Sequence, residues 1–434
     1  MTGPSGTAPA QSPAKSYLRD FAVFGALGIV ILAVYVFQGA VYSTRVFVEA
    51  ACYAILALGL NIQWGYAGLF NVGIMGFVAA GAAASMIVSF PANPDFWNSQ
   101  GPAMLVWFVV KLVLSIALIV CANLSHRIGA GPRLKPLLIA IAIAFAWIML
   151  SAHMDAMAHE IESKATWMGG FGLPVFVGWF VAAIVAGLIA WFVGKICLGL
   201  RSDYLAIATL GFAQIIKHFL KNADWLTKGT LTVSPLPWPV PRPEDGEFLF
   251  SRALYLSLVA VFVVVIYLAL QRAYHAPWGR MMRAIRDNEE AAEAMGKDVN
   301  RRRLETFIFG CMLMGLGGAM LIHFASVFDP AGFIDLNHTF LIWVMVILGG
   351  SGNNRGAIFG ALLVYVIWVM SAPIASWFFD QLRVYGDLWF GWEAPSDLDA
   401  RALQMRVFVI GLTITLVLRL APKGALPEEI SHKR

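Results

Sequence analysis

Apolar runs separated by short polar breaks recur along the chain, at residues 21–40, 46–64, 68–90, 103–122, 136–152, 173–197, 204–220, 253–271, 304–325, 338–350, 356–379 and 406–420. A helix needs about 20 apolar residues to cross a bilayer, so the long runs predict transmembrane helices. Those of 13 to 17 residues predict half-spans or re-entrant pieces. The expected fold is an all-α polytopic membrane protein with about ten to twelve transmembrane or re-entrant helices. The opening 14 residues, rich in Pro, Ala, Ser and Gly, have no packing face and are expected to be disordered. The resulting organisation is a tail at 1–20, a membrane domain at 21–424 carrying a charged loop at 271–303, and a short tail at 425–434. The run at 21–40 is too long for a signal-peptide core and no clear small-residue cleavage site follows it, so it reads as a retained first span.

Composition supports this class: 59% apolar against 13% charged residues over 434 positions cannot supply the polar surface of a water-soluble globule. If the spans alternate from a cytoplasmic N-terminus, the inside segments hold Lys15, Arg19, Arg127, Arg133, Lys135, Lys195, Arg201, the eight basic residues of 271–303, Arg355, Arg419, Lys423, Lys433 and Arg434, which makes 20. Outside segments hold nine, and two more, Lys111 and Lys217, fall within spans. The positive-inside bias therefore places both termini and the charged loop in the cytoplasm. The net charge of +5 arises from these loops and gives no reason to expect nucleic acid.

Two apolar segments are interrupted by glycine and asparagine, the feature that marks substrate sites in transporters. The first, residues 59–76 (GLNIQWGYAGLFNVGIMG), contains Asn61, Gly65, Gly68, Asn71 and Gly73, and no Lys or Arg occurs between Arg45 and Lys111. A cytoplasmic turn usually carries a basic residue, so this break is expected within protein at membrane depth. The second, residues 348–356 (LGGSGNNRG), contains Gly349, Gly350 and Gly352; Gly352, Gly356 and Gly360 recur every four residues, a bare stripe that would let a neighbouring backbone approach. Tight helix packing alone accounts for such glycines equally well. Asparagines beside them are harder to explain that way, since an unpaired amide in lipid is costly.

Between two long apolar runs lies a charged island, residues 280–296 (RMMRAIRDNEEAAEAMG), followed by Arg301, Arg302 and Arg303. A short amphipathic helix closed by Gly296 suits docking to a cytoplasmic partner, an ATPase on this reading, and an ordinary charged loop is the alternative. The chain has no phosphate-cradling Gly-x4-Gly-Lys-Ser/Thr sequence, so any ATP is hydrolysed by another chain, and no cofactor is expected on this one. Cys52, Cys121, Cys197 and Cys311 lack paired spacing and read as small packing residues. The cluster His153, Asp155, His159, Glu160 and Glu162 reads as a solvated helix rather than a metal site. Glu49 and Lys111, charges inside spans, must face protein or water or snorkel.

Residues 204–216 (YLAIATLGFAQII), 280–296, 344–352 (VMVILGGSG) and 419–424 (RLAPKG), in this order, resemble the branched-chain amino-acid ABC transporter permeases, specifically the LivM-type subunit. The resemblance implies a related LivH-like permease subunit beside it in the bacterial inner membrane, two cytoplasmic ATP-binding subunits that use ATP and Mg, and an extracytoplasmic substrate-binding protein. It also implies that Glu290, Ala291, Ala292 and Gly296 belong to the segment that seats in the ATPase. The expected cargo is a branched-chain amino acid; urea or a short amide is the alternative, and an ion-gradient-driven transporter or a channel-like subunit stand further off. The chain departs from the pattern at 123–172, which is longer than shorter members need, and at Ile74, where many relatives carry histidine. The loop at 227–241 (TKGTLTVSPLPWPVP) lies on the face a binding protein would touch.

Overall fold

The computed structural model describes residues 13–124, 134–242, 248–390, 395, 397–422 and 424–428. Each apolar run folds as helix: α1 (Pro13–Gln38), α2 (Ala40–Leu60), α3 (Ile74–Ser89), the single turn α4 (Pro94–Trp97), α5 (Gly101–Leu124), α6 (Leu134–Ala165), α7 (Val175–Cys197), α8 (Ser202–Asn222), the single turn α9 (Asp224–Thr227) and α10 (Phe248–His275). Then follow α11 (Pro277–Asp287), α12 (Glu289–Ala294), α13 (Val299–Ala325), α14 (Leu341–Gly349), α15 (Asn354–Phe390) and α16 (Leu398–Leu420). Eight stretches are long and apolar enough to cross a membrane, and Gly25–Gln38, Ile74–Ser89 and Leu336–Gly349 are shorter apolar helices. The more polar α8 runs alongside them, in keeping with the expected all-α polytopic fold. Among the described residues the β pairings are two isolated bridges, Ala92 with Gly169 and Val233 with Phe328.

Helices begin and end where local chemistry allows. Pro277 sits in the first turn of α11, where its missing N–H costs nothing. Asp298 caps α13 by accepting from the Arg301 amide at 3.0 Å. Helix α1 starts at Pro13, ahead of the apolar run at 21–40; residues 1–12 and the loop bearing Arg127 and Arg133 lie outside the described residues. Helix α6 runs on past 152 to Ala165, with Asp155, His159 and Glu162 on one exposed face. No group of potential metal ligands occurs among the described residues.

The bundle has two ends. At one, Arg286 of the charged segment meets Gly65 at the end of α2. At the other lie the Val233–Phe328 bridge and the hydrogen bond from Arg252 at the start of α10 to the Val41 carbonyl at 2.8 Å. Helix α2 forms the axis: almost all of its apolar stretch is buried, and it packs on α10, α13 and α15. Helix α13 in turn packs on α3 and α7. Bare backbone sets these crossings: a Cβ on Gly59 would sit 2.7 Å from the Gly310 carbonyl oxygen, and one on Gly81 would collide with the backbone of Gly315.

The hairpin α5–α6 stands apart, with little of either helix buried. It is anchored at the far end by a small cluster of Phe96, Met157, Ile161, Ala165 and Met168. Its in-span charge is answered within the hairpin, since Lys111 Nζ lies 3.0 Å from His153 Nδ1. Glu49 is held inside the main bundle by the Tyr365 hydroxyl, which donates to it at 2.5 Å, and by Arg45 at 3.2 Å.

Placing a valine at Gly81 forces α3 away from α13 and is expected to destabilise the bundle by about 1–3 kcal/mol. Gly411→Val, at a position with open space around it, serves as the neutral control. Thermal unfolding of the detergent-solubilised chain reads both, and an unshifted midpoint for Gly81→Val contradicts the close crossing.

Candidate functional site

Both glycine-broken segments interrupt helices, and the fold brings them together. Helix α2 loosens into a π turn, Asn61–Tyr66, and residues 68–73 are irregular until α3 starts, with Gly68 at φ +67°. Between α14 and α15 the chain reverses through Gly350 at φ +111° and Gly352 at φ +84°, backbone that an L side chain adopts only with strain. Asn61 Nδ2 donates to Asn354 Oδ1 at 3.0 Å, and Asn61 Oδ1 accepts from the Gly352 amide at 2.8 Å. The Tyr66 hydroxyl donates to the same Asn354 oxygen at 2.8 Å, and Asn354 Nδ2 reaches Gln271 Oε1 on α10 at 3.2 Å. Gly65 lies so close to Gly352 that a Cβ would overlap its backbone.

A second layer of amides lies deeper in the bundle. Gln63 Nε2 donates to the Phe307 carbonyl at 2.8 Å, and Gln63 Oε1 accepts from Asn71 Nδ2 at 2.9 Å. Asn71 Oδ1 then accepts from the Gly73 amide at 2.9 Å, and the Asn71 carbonyl from Trp343 Nε1 at 3.0 Å. Asn61, Gln63 and Asn71 have no exposed surface, so each polar atom left without a partner would cost about 1–3 kcal/mol. The network prevents that loss.

Of the residues expected to line a substrate path, Asn61, Gly65, Gly349, Gly350 and Gly352 therefore gather in one joint. Asn71 and Gly73 sit beside it against α8 and α13, where the Thr209 hydroxyl accepts from the Val72 amide at 3.2 Å. Gly68 lies under Arg286. Gly356 and Gly360 of the four-residue stripe do face the backbone of α14, whereas Gly352 precedes the helix and belongs to the turn.

The charged island folds as two short helices against this joint. Helix α11 buries Gly279, Met282 and Ile285, and the Thr306 hydroxyl of α13 donates to Met282 Sδ at 2.9 Å. Its last turn delivers the basic residue that residues 59–76 lack: Arg286 Nη1 donates to the Gly65 carbonyl, and Nη2 pairs with Glu428 at 2.9 Å. Asn288 caps α12 by accepting from the Ala291 amide at 3.0 Å. Glu289 and Glu290 occupy the first turn, where the helix end is positive. Within the expected docking set, Ala292 is buried at 2% exposure and seats α12 on the chain, while Glu290, Ala291 and Gly296 face outward. Met295 projects beside them at 68% exposure, an apolar tip on an otherwise polar segment. Gly296 takes φ +74° and ends the helix, and Glu289 is tied back to Arg303 at 2.6 Å.

Sequence reasoning marked the asparagines beside the second glycine run, Asn354 among them, as costly if unpaired, but did not single out Arg286, Tyr66, Gln63, Met295 or Glu428. An amide inside an apolar run was the available signal for Gln63. Nothing local marks the partnership of Arg286 with Gly65, 221 positions away.

Comparison with known proteins places these features in context. Residues 135–418 match the family model described as branched-chain amino acid transport system / permease component. A probable branched-chain amino acid transport permease protein LivM of Methanocaldococcus jannaschii is 23% identical over 387 residues, 87% of this chain and 91% of that protein. The high-affinity branched-chain amino acid transport system permease protein LivM of Escherichia coli is 29% identical over 216 residues, 45% of this chain and 51% of the relative. The LivH permease protein of the same system is 25% identical over 164 residues, 36% of this chain and 52% of its own length. No solved structure matches.

Asn354→Leu leaves Asn61, Tyr66 and Gln271 short of partners and is expected to lower stability by about 1–3 kcal/mol. A double-mutant cycle with Asn61→Leu, read by thermal unfolding, should show coupling of about 0.5–3 kcal/mol. Strict additivity of the two substitutions contradicts the joint.

Proposed function

The chain belongs to the family of branched-chain amino acid transport system permease components, and on that premise we propose that it forms half of the membrane channel of an ATP-driven importer of branched-chain amino acids. It spans most of the archaeal relative but about half of the length of the Escherichia coli ones. The other half of the channel is a related permease of the LivH kind. Two separate ATP-binding subunits hydrolyse ATP with Mg, and a substrate-binding protein delivers cargo at the opposite face. The observation that carries this reading is the exposed tip of α12, Glu290, Ala291, Met295 and Gly296, presented by a helix whose neighbour α11 is bonded directly to a helix break.

The charge distribution orients the complex. Arg280, Arg283, Arg286, Lys297 and Arg301–Arg303 all lie at one end of the bundle, and the positive-inside bias supports a cytoplasmic position for α11 and α12, in a bacterial inner membrane on this reading. Ala291 admits close approach of a partner backbone, and Met295 offers it an apolar contact. Closure of the ATPase pair then moves α12 and α11 as a rigid body and shifts the spans attached to them. The two breaks form the moving wall: helix-end amides released there would receive the carboxylate of the zwitterion, and apolar lining its side chain. At the far end, a cleft lined by Ser89, Pro91, Gly172, Pro174 and Trp238 opens beside the proline-rich loop, on the side the binding protein approaches.

The test is ATP-dependent uptake of radiolabelled leucine into vesicles holding the full complex. Valine and isoleucine should compete and urea should not; competition by urea with indifference to valine would move the assignment to short amides. Gly296→Pro cannot adopt the φ of +74° found there. It should abolish uptake and substrate-stimulated ATP hydrolysis while the chain still inserts, and unchanged uptake refutes the docking role.

A further inference from the structure

We propose that the segment after α16, residues 424–428, is a strap that transmits movement of the charged segment to the helix breaks, with Glu428 as its positioning residue. This rests on the importer reading for its purpose, but the strap itself is defined by contacts that need no substrate.

Helix α16 ends at Leu420, and the chain turns at Gly424, φ +76°, packed against Gly350. It then runs along the end of α14. The Ala425 amide donates to the Leu348 carbonyl at 2.8 Å, and the Leu426 amide to the Gly349 carbonyl at 3.0 Å. These are carbonyls that the last turn of a helix leaves without intrahelical partners. Asn353 Nδ2 answers by donating to the Leu426 carbonyl at 3.1 Å, and Leu426 itself is 1% exposed. The strap is thus bonded to both sides of the turn between α14 and α15.

Its other attachment is to the charged segment. Glu428 Oε2 accepts from Arg286 Nη2 at 2.9 Å, and Oε1 accepts from the Tyr274 hydroxyl at the end of α10 at 2.7 Å. The Glu428 side chain is 14% exposed and that of Arg286 24%, so water screens the pair only in part. Arg286 also donates to the Gly65 carbonyl. One guanidinium therefore grips the first break directly and the second through Glu428 and the strap. A helix cap alone would need only the amides of Ala425 and Leu426. The carboxylate aimed at Arg286 and Tyr274 ties that cap to α11, the helix that carries α12.

The experiment uses the full chain assembled with its partner subunits, comparing wild type, E428A and E428D. In E428A, amide exchange at Ala425 and Leu426 should rise about tenfold, the scale of one lost charge-assisted hydrogen bond. ATP hydrolysis should stay near wild type while leucine taken up per ATP falls, and E428D should recover part of that ratio. Unchanged exchange overturns the strap, whatever the cargo. Raised exchange with an unchanged uptake-to-ATP ratio reduces it to a cap and overturns the transmission claim. Loss of ATPase binding overturns it as well, because Glu428 would then be a docking residue. A wild-type complex that hydrolyses ATP without moving leucine counts against the cargo assignment alone, and the exchange result still decides the strap.

Discussion

Within a bilayer every backbone N–H and C=O must find its partner inside the protein, because lipid offers none. A continuous helix meets that requirement by itself; a broken one cannot. Two interruptions between apolar helices, after α2 and between α14 and α15, lie at the end of the bundle that carries the charged segment, and they satisfy their polar groups by closing on each other. Asn61 and Asn354 form the clasp, Gly65 and Gly352 allow the backbones to touch, and Gln63 with Asn71 satisfies the layer behind. The surrounding helices, with α2 at the axis and α13 and α15 against it, hold residues 61 and 354 together.

The same closure links transport machinery to surface chemistry. Arg286 is part of an amphipathic helix whose apolar face, Met282 and Ile285, is anchored under the bundle. Its guanidinium ends on a carbonyl that the broken helix α2 leaves free. Arg286 thus joins α11, and through it α12, to the first interruption. Proteins packed this closely shift between discrete arrangements rather than bend. The wide faces of α5, α6 and α10, by contrast, expose Leu, Ile, Val and Phe side chains.

Much of this was legible in the residues, and the limits have physical causes. Apolar runs predicted the helices because span length is a property of the local chain. Glycine and asparagine inside those runs located both breaks, since an amide in lipid demands an explanation. Their meeting was not legible: Asn61 and Asn354 are 293 positions apart, and long-range pairing leaves no local pattern. The missing basic residue near Gly65 argued for a break deep in the membrane, yet a basic residue is present, borrowed from α11. In α12 the residue types suggested a docking surface, but only the fold separates Ala291 on the free side from Ala292, which is the seat. Glu428 lies in a polar stretch after the last apolar run and gave no sign of its partners Arg286 and Tyr274.

The central claim is mechanical: α12, the turn at 350–353 and the broken end of α2 move as one body relative to the far end of the bundle. Electron–electron distance measurements test it most directly, using spin labels at the exposed positions Met295, Ser351 and Leu231 with exposed Cys121 replaced by serine. In the assembled complex, nucleotide binding should leave the 295–351 distance unchanged and shift both distances to 231. A change between 295 and 351 with 351–231 fixed would show the charged segment moving without the breaks, and would contradict the account.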